Sequence, residues 1–164
     1  MRYTIEHLLW GMLRISLGFI FFWAFLDKVF GLGFSTPPEA SWLGGTSPTY
    51  GYLTYATHGP LQGLFQAVAG NAIVDWLFML GLLCVGLSLI LGIGVRVAGY
   101  AGSLMLFFMY LATGLPPEHN PVLDEHIIYI LVLLLMTRMS AGEWLGLGKW
   151  WAKIPFVRSK RYLL

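Results

Sequence analysis

The stretch Trp76–Val95, WLFMLGLLCVGLSLILGIGV, runs for 20 residues without a charge. After Arg96 alone, a second uncharged run, Val97–Pro117, continues for 21. About 20 apolar residues at 1.5 Å each match the ~30 Å hydrocarbon core of a bilayer. Composition agrees: of 164 residues 57% are hydrophobic and 11% charged, with mean hydropathy +0.71. Soluble domains carry roughly 25% charged residues, so this chain cannot build a water-facing surface of the usual kind. A soluble enzyme is excluded, and one membrane domain over 1–164 is expected.

Working outward, Leu8 to about Phe30 reads as a first span, interrupted by Arg14 and closed by Asp27 and Lys28. Arg14 also makes a cleaved leader a poor reading of this segment. The uncharged runs give spans over about 74–95 and 97–115, and a last apolar stretch a span over about 122–138. The expectation is an all-α, four-helix transmembrane bundle. Lys and Arg bias sets its orientation. Arg2, Arg96, Arg138 and the basic tail (Lys149, Lys153, Arg158, Lys160, Arg161) fall on one side, predicting a multi-pass cell-membrane protein with both termini cytoplasmic. The extracytoplasmic loop 31–71 is rich in Pro, Gly and aromatics. Its Leu61, Leu64, Phe65 and Val68 have helical spacing, predicting a short interfacial helix. Such a loop either serves the site or merely covers the bundle. The tail 141–164, with Trp144, Trp150 and Trp151 beside Lys149 and Lys153, predicts a cytoplasmic interfacial anchor.

Some chemistries are excluded or weakened. Cys84 is the single cysteine, so no internal disulfide or paired-thiol relay exists. Net charge is only +2, which argues against nucleic acid and for a membrane-lipid partner. No histidine pair has a recognised metal spacing, although His58, His119 and His126 with Glu118, Asp124 and Glu125 keep a haem or metal reading open. The many glycines (Gly81, Gly86, Gly92, Gly94, Gly99, Gly102) read as close packing of the second and third spans.

Ionisable groups inside a bilayer are costly and mark function or an essential pairing. Arg14, Gly18, Phe21, Phe25 and Lys28 share one helical stripe. Arg14 either binds a ligand or pairs with Glu6 or Glu143. At the other end Asp75 opens the second span, and Asn120 and Asp124-Glu125-His126 lead into the last. Glu125, His126 and Tyr129 lie within about a 100° arc. Partly dehydrated carboxyl and imidazole groups suit proton exchange near neutrality, as quinone reduction requires. The same residues serve equally well as helix-start acids, a loop contact and an aromatic belt.

Several segments together resemble the DoxX family: Leu13-Arg14 with Gly18, Phe22 and Lys28; Leu89 to Gly92, Gly94, Val95 and Arg96 with Ala98-Gly99; Asn120-Pro121 through Asp124-Glu125-His126 to Tyr129; and Ala141-Gly142 through Trp144 to Gly146 and Gly148. The resemblance covers nearly the whole chain outside the long loop. It implies a four-helix membrane protein of bacteria or archaea. The family includes the larger subunit of a thiosulfate:quinone oxidoreductase, so a quinone and a second oxidoreductase subunit, or a homo-oligomer, are implied partners. Arg14, Lys28, Arg96, Asn120, Asp124, His126 and Tyr129 carry over as candidate positions. The expected arrangement has His126, Glu125 and Tyr129 as the reacting groups, with Arg14, Lys28, Asp75, Arg96, Asn120 and Asp124 binding substrate. A non-enzymatic scaffold or small-solute carrier, its charges purely structural, is the competing class.

Overall fold

The computed structural model describes residues 4–113, 117, 120, 122–139, 141–160 and 163. Arg2, Glu118, His119 and Arg161, invoked above, lie outside the described residues. The chain is all-helical. Helix α1 (Ile5–Phe30) is followed by the short α2 (Gln62–Gln66), α3 (Ala72–Leu91), α4 (Val95–Ala112), α5 (Glu125–Arg138), and two single turns, α6 (Gly148–Trp151) and α7 (Pro155–Arg158). Helices α1, α3 and α4 are long and apolar enough to cross a membrane.

Differences from the expected boundaries have local causes. Helix α1 begins three residues early because Thr4 and His7 form a reciprocal cap. Helix α3 ends at Leu91, not 95, because Gly92 takes a left-handed φ of 74°. The expected last span loses its first turn: Asp124 is the N-cap, accepting from the Ile127 amide, and α5 has only 14 residues. At 1.5 Å each that is about 21 Å.

Helices α1 and α3 pack antiparallel, with backbones in close approach. A Cβ on Gly86 would lie 2.7 Å from the Phe22 nitrogen, and one on Gly18 would lie 2.8 Å from that of Ile90. Thus Gly86 serves α1, not the expected α4, while Gly99 meets Thr137 and Leu133 of α5. Gly81, against Met105, lies between α3 and α4 as expected. Gly102 of α4 faces Phe21, Val85 and Leu133, one side chain from each of the other long helices. The core of Leu17, Met79, Leu82, Leu89, Leu106 and Met136 surrounds that point.

The four long helices leave their ends at two sites, a loop end (31–71) and a turn end (92–94). Helix termini expose carbonyls that need partners, and here distant segments supply them. At the loop end, Trp42 and Leu43 amides donate to Lys28 and Val29 of α1, and the His58 amide donates to Ala112 of α4. At the turn end, Ser88 accepts from Gly92 and Ile93, and Leu91 from Leu147. Leu89 and Ile90 accept from Arg14. The final four carbonyls of α3 are therefore all engaged.

Candidate functional site

Arg14 is fully buried. Its Nε donates to Ala141 O at 3.1 Å, Nη1 to Leu89 O and to Ile90 O (3.0 Å), and Nη2 to Trp144 O (2.9 Å) and Leu145 O (3.1 Å). These five bonds use every guanidinium N–H. Neither Glu6 nor Glu143 is a partner, and in this geometry no donor remains for a ligand. The carbonyls come from the C-terminal end of α3, where the helix dipole is negative, and from the strap that begins with the turn Ala141–Glu143. Leu145, whose carbonyl Arg14 holds, is left-handed at φ 51°, a strained state for leucine.

The buried carboxylates at the loop end are held by amides and hydroxyls, with no ion pair to a described residue. Asp27 accepts from the Phe34 amide (3.1 Å) and from Ser35 through amide (3.0 Å) and hydroxyl (2.7 Å). Asp75 accepts from the hydroxyls of Ser47 (2.8 Å) and Thr49 (2.5 Å). Both tie the loop onto the bundle. Lys28, half-buried between them in sequence terms, makes no ion pair with a described residue, although its backbone carbonyl receives Trp42.

At the start of α5, Asn120 Oδ1 accepts from Val122 (3.0 Å) and Leu123 (2.9 Å), and the Tyr110 hydroxyl donates to Val122 O at 2.6 Å. Asn120 is thus a local turn-former. Asp124 contacts His126 Nδ1 at 2.7 Å. The two side chains keep only 14% and 12% exposure. Against an ionised carboxylate, which can only accept, Nδ1 would donate and Nε2 would be the nitrogen left for exchange. Tyr52, from the loop, donates its hydroxyl to Met109 O at 3.2 Å. Burial first, and the charge of Asp124 second, push its pKa up to about 12. Glu125 lies on the exposed side of the helix, and Tyr129 is half-buried against the core. The structure therefore brings His126 together with Asp124 and sets Glu125 outside.

Two cavities accompany these groups. One of about 460 Å³ runs along Phe19, Ile20, Trp23 and Ala24 to Asp27 and Ser35. The other, about 230 Å³, lies at the turn end and includes Arg96, which donates from Nε to Thr137 O at 3.3 Å. Neither is lined by His126, Glu125, Tyr129 or Lys28. No three His, Cys, Asp or Glu side chains converge among the described residues as a metal site would need.

Sequence reasoning missed Tyr52, Tyr110, Ser47 and Thr49. Only Tyr110 carried a signal, a phenol within an apolar run, where such a group needs a partner. No protein-family model, curated protein or solved structure matches the chain.

Proposed function

We propose that this chain is a four-span membrane protein of the DoxX kind, the membrane subunit of an oxidoreductase, and that it exchanges protons with a quinone at the His126–Asp124 pair. Thiosulfate:quinone chemistry is the nearest implied reaction. Helix α5 reaches across the bilayer with its lead-in: residues 122–124 span at most about 3.3 Å each, so they add up to roughly 10 Å to its 21 Å. Non-helical backbone is tolerated at membrane depth where its polar groups are met, and Asn120 and Tyr110 meet them here. By the Lys/Arg bias, the loop end faces outward and α2 lies in the outer interface.

The observation that carries the reading is the 2.7 Å contact of His126 Nδ1 with Asp124. It orients the ring and leaves Nε2 as proton donor or acceptor for a carbonyl oxygen. Glu125, being exposed, relays protons to water, and Tyr129 borders the ring. The electrons come from a donor on another subunit. The test is binding of a short-chain benzoquinone or naphthoquinone to the detergent-purified chain, followed by tryptophan quenching. His126→Ala is expected to weaken binding at least about tenfold, the effect of losing one buried polar contact of about 1.4 kcal/mol. Equal affinity in that variant, with unaltered folding, rejects the site.

A second reading is favoured by a separate observation. Arg14 has every donor taken up inside the fold, and Asp27 and Asp75 are bonded to hydroxyls or amides of the loop, as expected of a non-enzymatic scaffold. It predicts no quinone in an organic extract of the purified protein and no quinone-dependent quenching.

A further inference from the structure

We propose that the cleft at the turn end is a binding site for the phosphate-bearing headgroup of an anionic phospholipid. It lies between the start of α4 and the end of α5, closed by the strap, and encloses about 230 Å³. Small-molecule and cofactor sites occupy about 300–1,000 Å³, so this space suits a headgroup and not a nucleotide. Arg96 and Arg138 line it from two different helices, and Glu143 is the one carboxylate among its lining residues. The formal charge of these lining side chains is net positive, and a planar fork such as that of Arg138 matches phosphate oxygens two at a time. The bond from Arg96 Nε to Thr137 O orients that guanidinium. Arg138 is exposed and has no ion-pair partner among the described residues.

The surroundings select a lipid over a free anion. The cleft sits where α4 begins and α5 ends, the level at which membrane-spanning helices meet headgroups. Trp151 forms part of its wall. Trp150 and Phe156 nearby in the strap expose apolar rings, 61% and 63%, at the depth where such rings anchor to a bilayer. Lys153 and Arg158, exposed on the same strap, add to the attraction for an anionic leaflet. The inference rests on the membrane reading above and is independent of the quinone site.

The test is native mass spectrometry of the full chain in neutral detergent, titrated with phosphatidylglycerol, phosphatidylcholine or inorganic phosphate. One phosphatidylglycerol is expected to stay bound where phosphatidylcholine does not. Arg138→Gln should weaken it at least tenfold. Ala152→Phe, which fills the cleft without changing charge, should do the same, and it tests the site alone if Arg138→Gln does not fold. Lys153→Gln, losing an equal charge outside the lining, should change binding by less than threefold. Equal losses in Arg138→Gln and Lys153→Gln, or no loss in Ala152→Phe, would mean diffuse attraction and overturn the site. Binding of inorganic phosphate without phosphatidylglycerol overturns the lipid assignment. Failure of the membrane reading looks different: the chain would then stay in solution without detergent.

Discussion

Arg14→Met keeps an unbranched apolar stem, about two atoms shorter, and removes all five of the arginine's hydrogen bonds. Leu89, Ile90, Ala141, Trp144 and Leu145 would then each hold a carbonyl without a donor. An unmet buried acceptor costs about 1–3 kcal/mol, so five set an upper bound of roughly 5–15 kcal/mol. Two effects lower that figure. Substitution relieves the desolvation of a guanidinium buried without a carboxylate, and a loosened strap lets water reach Trp144 and Leu145. The expected loss is about 3–5 kcal/mol, the range found when one partner of a buried charge contact is removed. At about 2–4 °C per kcal/mol for a chain of this size, Tm should fall on the order of 10 °C. Thermal unfolding in detergent measures the loss, and hydrogen exchange locates it. The Leu147 amide, bonded to Leu91 O at 2.8 Å, should lose protection before the middle of α3. A Tm within about 2 °C of the parent, with Leu147 still protected, would refute the reasoning. Arg14→Lys should be nearly as damaging, because an ammonium offers three donors at one point.

Tyr52 gives a pH signature. Its pKa, about 10 in an unfolded chain, is pushed up to about 12 in the fold, so the folded form holds the proton longer. Its contribution is fully present below pH about 10 and is lost as pH rises toward about 12; Tyr52→Phe should flatten that part of a stability–pH curve. Gly86→Ala should cost about 2–3 kcal/mol by overpacking, since its Cβ would meet the Phe22 backbone at 2.7 Å. An unchanged Tm in that variant would contradict the close approach of α1 and α3. Asp75→Ala should cost about 2–4 kcal/mol through the two hydroxyls that lose a charged acceptor and speed proteolysis within 31–71. Asp75→Asn, which can keep one oxygen accepting both hydroxyls but loses its charge, should lose less than Asp75→Ala, and equal cleavage in all three proteins would remove the loop-tethering role.

Helix positions were legible where the signal was apolar length, because bilayer thickness sets a threshold that Trp76–Val95 and Val97–Pro117 plainly pass. Caps moved the ends. Thr4 with His7 is not the usual Ser/Thr with Glu/Gln pattern, and Asp124 reads equally well as cap or first-turn acid. The partners of Arg14 were illegible for a different reason: they are backbone carbonyls, which every residue possesses, so no side chain announces them. The same holds for Lys28 O and Ala112 O, met by loop amides. Glycine spacing revealed close packing but not which helix came close, because Gly86 and Gly99 look alike in sequence and face opposite neighbours. The His126–Asp124 contact depended on the turn that Asn120 makes, and helical periodicity does not extend through a turn.

The reach of Arg14 has a consequence for biosynthesis. Its most distant acceptor lies 131 residues further along the chain. At about 5–20 residues per second, the ribosome needs roughly 7–26 s to deliver it. Throughout that interval the first helix carries a cation whose final companions have not been translated. A nascent α1 must therefore wait with its arginine drawn toward the headgroups or sheltered by the insertion machinery, and it settles to its final depth only when the strap arrives.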